Sequence, residues 1–154
     1  MSEQKLKIYC DTNIYSRPFD KIISPRVYLE TEACLEIVNL AKTDKIVLLS
    51  SDILCLEINR SELEKKLQIK PLLDFCHKNI QETEKTTALA RRLETDLGLK
   101  PRDALHLASA ILGRTDFFLT CDDEIIRKSA LLSKRKLLPK IINPVDFLYH
   151  YYQQ

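Results

Sequence analysis

Four carboxylates stand where a folded chain seldom tolerates charge. Asp11 closes the run Leu6-Lys7-Ile8-Tyr9-Cys10 and is followed by Thr12 and Asn13; Asp122 closes a second run, Phe117-Phe118-Leu119-Thr120-Cys121. Glu57 lies inside Leu54-Cys55-Leu56-Glu57-Ile58, and Asp103 opens the apolar stretch from Ala104 to Ile111. Acids in such surroundings are ordinarily paired with a cation or bound to a metal. No matching set of arginines is evident beside these. Were the four to converge, their repulsion would call for Mg²⁺ or Mn²⁺, hard ions that prefer oxygen ligands. Two such ions about 3.5–4 Å apart can hold the attacking and leaving oxygens of a phosphodiester. Locally, Asp-Thr-Asn is also ordinary turn chemistry, since all three side chains bond readily to nearby backbone.

The elements that must position these acids are legible in outline. The apolar run to Cys10 reads as a strand, and the residues from Ser16 to Ser24 as a loop. Ser24-Pro25 reads as an N-cap and a first-turn proline, opening a helix over roughly 25–43 with Val27, Cys34, Ile37, Val38 and Ala41 on one side. Lys45 to Leu49 is a continuous apolar strand, the pattern of a sheet covered on both faces. Ser50-Ser51-Asp52 caps the helix that carries Glu57. A further helical stretch, 61–76, shows a Ser61–Glu64 capping box and a proline, Pro71, that should break or restart it. A short strand follows near Lys78 to Gln81, then a helix from Thr83 or Glu84 closed by Gly98.

Pro101 opens the apolar helix that carries Asp103. Asp116 to Cys121 is the clearest later strand, followed by a helix over 124–132, a short strand at Ile141-Ile142 and a last helix over 145–152. Strands alternating with helices predict a three-layer α/β/α sandwich around a mostly parallel sheet, as one domain spanning 1–154.

Composition excludes several classes. With two glycines, the chain has no Gly-rich phosphate loop and few tight hairpins. Its five cysteines are odd in number and lack a Cys-x-x-Cys pair, which suits reduced thiols and not a disulfide framework or zinc site. No apolar run approaches the roughly 18 residues that span a bilayer, and Met1 to Lys5 shows no apolar signal core. The expectation is a cytoplasmic protein with no membrane association. A net charge of +2 does not by itself imply a polyanion partner.

In order, Asp11-Thr12-Asn13 after a strand, Glu57 in its apolar helix, Arg102-Asp103-Ala104-Leu105-His106 and Thr120-Cys121-Asp122 resemble the motifs of PIN domains, in particular the small VapC-like (PilT N-terminal-like) type. The resemblance covers about residues 5–145. It implies a five-stranded sheet in order 3-2-1-4-5 with helices on both faces, and a metal-dependent endoribonuclease. It implies Asp11, Glu57, Asp103 and Asp122 as ligands of Mg²⁺ or Mn²⁺, directly or through water. Thr12, Asn13 and Thr120 would orient carboxylates, water or a scissile phosphate. Implied partners are RNA, a protein antitoxin or inhibitor, and a second copy in a homodimer. The extra helical stretch around 61–79 departs from the usual pattern.

Other residues carry two readings each. Asp123 either joins the site or serves as an N-terminal charge on the following helix, and Thr120-x-Asp122 favours the latter. His106, one turn beyond Asp103, is a ligand candidate or a hydrogen-bonded packing residue, and the second reading is preferred. His77 and His150 show no ligand spacing. Arg127, Lys128, Lys134, Arg135, Lys136 and Lys140 form a phosphate-contact candidate or a solvated face, and Arg17 a weaker clamp. Tyr149, Tyr151 and Tyr152 read as packing residues before base-stacking ones.

Competing activities fare worse. A haloacid-dehalogenase-like phosphatase wants a second Asp where Asn13 stands. A receiver domain fails at Ser50-Ser51, where no phospho-acceptor lies. A catalytically silent PIN-like RNA-binding or scaffold module would show loss of an acid, and all four are present.

Overall fold

The computed structural model describes residues 4–135 and 139–154. Four parallel pairings join five strands in the order β3-β2-β1-β4-β5: β1 (Lys7–Cys10), β2 (Val47–Ser51), β3 (Lys78–Ile80), β4 (Phe117–Leu119) and β5 (Lys140–Ile142). The strands alternate their side chains between two apolar layers, as the pleat requires. Ile8, Cys10, Phe117 and Leu119 face a core shared with Cys34, Ile37 and Phe147. Tyr9 and Phe118 face the opposite one, with Leu93, Leu97, Leu107 and Ala108. Helices therefore cover both faces, which is why the strands carry no polar alternation.

Local chemistry sets most helix boundaries. In α1 (Thr12–Ser16) Asp11 is the N-cap. A single 3-10 turn, Arg17–Phe19, follows where a plain loop was expected. For α2 (Pro25–Lys42), the Ser24 hydroxyl accepts from the Val27 amide and Pro25 occupies the first turn. In α5 (Glu84–Leu97), Gly98 caps the C-terminus at φ 69°, the left-handed conformation glycine adopts without penalty. Pro101 starts α6 (Pro101–Leu112), and Asn143 caps α9 (Pro144–Tyr152) through the Val145 amide.

Several boundaries differ from the sequence expectation. Lys45 and Ile46 are not strand: Asp44 takes φ 58° and the Lys45 amide closes α2 onto the Leu40 carbonyl, so β2 begins two residues later. The Ser61–Glu64 capping box does not form. Ser61 instead donates to the Glu57 carbonyl at the end of α3 (Asp52–Asn59), and α4 (Leu63–Leu73) starts from Glu62 with no side-chain cap. Pro71 falls in the last turn of α4 and neither breaks nor restarts it. The helix expected over 124–132 is two, α7 (Asp123–Lys128) and α8 (Ala130–Lys134), divided at the buried Ser129. Lys128 Nζ donates to the Gly98 carbonyl at 2.9 Å, pinning the end of α7 to the end of α5. Among the described residues no helix is long and apolar enough to cross a membrane.

Candidate active site

Strand order reverses between β1 and β4, and ligands of parallel sheets bind beyond the carboxyl ends of strands at such a point. The Asp11 amide donates to the Leu119 carbonyl at 2.9 Å, carrying the β1–β4 ladder one residue past the strand. That places Asp11 beside Thr120. The Thr120 hydroxyl donates to Asp11 Oδ2 at 2.9 Å and accepts from the Asp122 amide at 3.1 Å. Asn13 donates from Nδ2 to Asp11 Oδ2 (3.1 Å) and to Thr120 Oγ1 (3.2 Å), while its Oδ1 accepts from the Cys121 amide. Asp11 Oδ1 takes the Thr12 amide at 2.8 Å. Asn13 and Thr120 thus tie the two strand ends together and fix the plane of one buried carboxylate.

A second network crosses from α3 to α6. Both Glu57 oxygens are engaged: Oε2 accepts from Thr12 Oγ1 at 2.9 Å, and Oε1 lies 2.5 Å from His106 Nε2 and 3.7 Å from Arg102 Nε. His106 is 1% exposed, and its Nε2 also comes within 3.9 Å of Asp11 Oδ1. An ionised carboxylate only accepts, so with a neutral ring Nε2–H donates to Glu57 and Nδ1 accepts from the Tyr9 hydroxyl. That hydroxyl sits 2.6 Å from His106 Nδ1 and 2.6 Å from Ser51 Oγ. His106 is therefore a hydrogen-bonded packing residue, and it also bridges toward two of the acids. Tyr9→Phe should leave His106 Nδ1 without its donor and the buried Ser51 hydroxyl without its acceptor, and destabilise the fold by about 2 kcal/mol, roughly 1 kcal/mol for each orphaned polar group. Urea unfolding checks this, and an unchanged midpoint would mean water replaces the hydroxyl.

Asp103, on the first turn of α6, is half-buried and accepts no hydrogen bond among the described residues. Burial raises its pKa, and the charges of Asp11 and Asp122 raise it further. Asp11 is also raised, by burial above all, although His106, Thr120 and the Thr12 amide pull the other way. Burial pushes Glu57 up too, but His106, Thr12 and Arg102 outweigh it and hold Glu57 below the usual range. Asp122 Oδ1 caps α7 through the Glu124 amide at 2.9 Å. Among the described residues, no three His, Cys, Asp or Glu side chains already close around a single point. The donor set still fits a hard cation: Asp103 is unbonded and repelled by two other carboxylates, and Mg²⁺ keeps several waters when it binds.

Asp123 leaves the site. It begins α7 and forms a two-pronged pair with Arg26, Nη1 to Oδ2 at 2.6 Å and Nη2 to Oδ1 at 2.7 Å, which lowers its pKa. Arg17 is engaged as well, by Asp20 at 3.1 Å and the buried Glu30 at 3.3 Å, which removes it as a phosphate clamp. Lys128 pairs with Glu124, while Lys136 lies outside the described residues. Of the terminal tyrosines, Tyr151 packs against the core, Tyr152 donates to Glu36, and Tyr149 is exposed. Sequence reading missed three cations, Arg60, Lys65 and Arg102, that line a cleft of about 330 Å³ beside Thr12 and Glu57. The only sequence signal was proximity: Arg60 lies three residues after Glu57, and Arg102 directly precedes Asp103.

Fold and site define a class: a parallel α/β sandwich presenting clustered carboxylates at the reversal of strand order. The PIN domain family model matches residues 8–131, and the chain belongs to that family. Two solved structures share the fold. FitAcB from Neisseria gonorrhoeae is 18% identical, with 89% of this chain and 97% of that chain covered and a TM-score of 0.57. VapBC2 from Rickettsia felis, bound to a DNA fragment from its promoter, is 17% identical over 90% of this chain and 97% of that chain, with a TM-score of 0.52. No curated protein sequence matches.

Proposed function

We propose that this chain is a Mg²⁺- or Mn²⁺-dependent endoribonuclease, acting in the cytoplasm as the toxin of a toxin–antitoxin pair, with residues 1–154 forming one catalytic domain. The observation that carries the reading is Asp103: a half-buried carboxylate that has no hydrogen bond among the described residues and faces the charges of Asp11 and Asp122. Family membership supports nuclease chemistry, and the fold shared with FitAcB and VapBC2 supports a toxin held by a protein inhibitor. Exposed apolar side chains offer surfaces for that inhibitor and for a second copy: Ile22, Ile23, Tyr28 and Leu29 at the start of α2, and Leu63 and Leu67 on α4.

Asp11, Asp103 and Asp122 would hold the ion, with Glu57 reaching it through water. When bound, the ion supplies Lewis acidity, activating a water and neutralising charge on the phosphate oxygens. The chain itself supplies orientation. Thr120, Asn13 and the Thr12 amide hold the Asp11 carboxylate in one plane, so little reorganisation remains when a ligand arrives. Glu57, with its pKa held low, is ionised throughout the neutral range, so it suits a fixed acceptor that aims a water and not a proton-accepting base. His106 and Thr12 keep it in place from the far side.

The test is cleavage of single-stranded RNA with Mg²⁺ or Mn²⁺. Cleavage should vanish on chelation and return when the ion is restored, and Asp103→Asn should weaken Mn²⁺ binding in calorimetry. RNA bound tightly but left intact with either ion would replace this reading with that of a silent RNA-binding module.

A further inference from the structure

We propose that the cleft between α1, α3, α4 and the first turn of α6 binds the phosphodiester backbone of single-stranded RNA on one side of the scissile bond, with Arg60, Lys65 and Arg102 as its phosphate contacts. This rests on the nuclease reading and adds the direction from which substrate enters. The cleft shares Thr12 and Glu57 with the acidic centre, so a strand lying in it leads directly to the carboxylates. Among the described residues, three cations line it against the single acid Glu57, a local excess in a chain whose net charge is only +2.

Those cations are available. Arg60 and Lys65 are exposed and make no side-chain ion pair among the described residues. Arg102 has one distant partner, Glu57 at 3.7 Å, and its side chain is 70% exposed. Arginine forks match phosphate oxygens in pairs, and lysine adds a mobile point charge. Ile53 and the exposed Leu56 give the cleft an apolar side on which ribose and base faces can rest.

Electrostatics favours RNA over an acidic protein segment as the occupant. Asp11, Glu57, Asp103 and Asp122 repel any polyanion brought to them, and a substrate cut at that centre must carry charge right up to it. Cations flanking the entrance offset this repulsion where it arises, and phosphate contacts of this kind set register without reading sequence. None of the basic residues on α7 and α8 lines this cleft, and Lys128 is spent on Glu124 and the Gly98 carbonyl.

The experiment uses the full chain with Mn²⁺ and a labelled single-stranded oligoribonucleotide over a range of salt. Arg60→Ala/Lys65→Ala should lower kcat/KM by about 10- to 100-fold, mostly through KM. The slope of log binding constant against log salt should become shallower by about 1.4, two contacts at roughly 0.7 each on a single strand. Lys70→Ala, on α4 but outside the cleft, should match the parent chain, and all three substituted residues are exposed, so melting temperatures should stay level. Parental KM and salt slope in the double variant, with cleavage intact, would overturn the cleft assignment and leave the nuclease reading standing. A parent chain that cuts no RNA with either metal would overturn both. An oligoglutamate of equal charge that displaces RNA at equal concentration, and loses this ability in the double variant, would overturn it in favour of an acidic protein segment.

Discussion

Asp11→Asn is expected to lower RNA cleavage by about a thousandfold or more, roughly 4 kcal/mol of transition-state stabilisation, while the chain stays folded. Asparagine keeps the cap on the Thr12 amide through its carbonyl, but the Thr120 hydroxyl, which already accepts from the Asp122 amide and from Asn13 Nδ2, loses its acceptor. The bond from Asn13 is lost, because two amide donors then face each other. The two losses, from Asn13 and from Thr120, together cost about 2 kcal/mol. They are offset by removing a buried charge whose pKa is raised chiefly by burial.

Asp11 and Asp103 both bind protons more tightly in the folded state, so the stability they contribute is complete below about pH 4 and is lost as pH rises through their raised values. Glu57, with its pKa held low, contributes in the opposite sense: its share is present above the ordinary carboxylate range and lost as pH falls through its lowered value. Melting in chelator from pH 4 upward should therefore fall less steeply in Asp11→Asn than in the parent. Calorimetric titration with Mn²⁺ should show weakened binding in the same variant. Full cleavage by Asp11→Asn would sink the proposed chemistry, and unchanged Mn²⁺ affinity would remove Asp11 from the metal site.

The largest effect on stability should come from a residue remote from the chemistry. Glu30 is 1% exposed on α2 and is held by Arg17 Nη2 at 3.3 Å, Arg26 Nε at 3.3 Å and Asn143 Nδ2 at 2.7 Å. It thereby joins the turn after α1, the first turns of α2 and the junction of β5 with α9. Glu30→Ala takes one acceptor from each of two guanidinium groups, which keep Asp20 and Asp123, and removes the acceptor of the Asn143 amide. Removing one member of a buried pair costs about 3–5 kcal/mol, and the lower end applies because both arginines reach solvent. A loss of about 3 kcal/mol lowers the melting temperature by roughly 6–12 °C in a domain of this size. Glu30→Gln keeps an oxygen acceptor and should lose about half as much. Scanning calorimetry and urea unfolding decide it, with cleavage at 25 °C expected to survive in the folded fraction. A melting temperature within about 2 °C of the parent would show that water replaces the carboxylate.

Much of the fold was legible because it rests on local rules. An apolar run without polar alternation announces a strand covered on both faces, and β1, β2 and β4 are such strands. Ser24-Pro25, Lys100-Pro101 and Gly98 mark helix ends through hydrogen bonds and backbone conformations that involve only their neighbours. The acids stood out for the same reason: a charge inside an apolar pattern is visible without knowing what lies opposite. Where an end depended on a competing bond, as at Lys45 or Ser61, the local reading missed by a residue or two.

What only the tertiary structure decided is the pairing of long polar side chains across elements remote in sequence. His106 reads as a ligand candidate or a hydrogen-bonded packing residue with no partner named until α6 packs beside β1 and α3, placing it between Tyr9 and Glu57, 97 and 49 residues away. Arg26 finds Asp123 across 97 residues, and Arg17 turns inward to Glu30 and away from any substrate. Arg60, Lys65 and Arg102 become one surface only when α3, α4 and α6 converge. The physical reason is reach: periodicity reports which face of an element is buried, whereas a guanidinium or imidazole takes its role from whichever acceptor the packing of distant elements brings within about 3 Å.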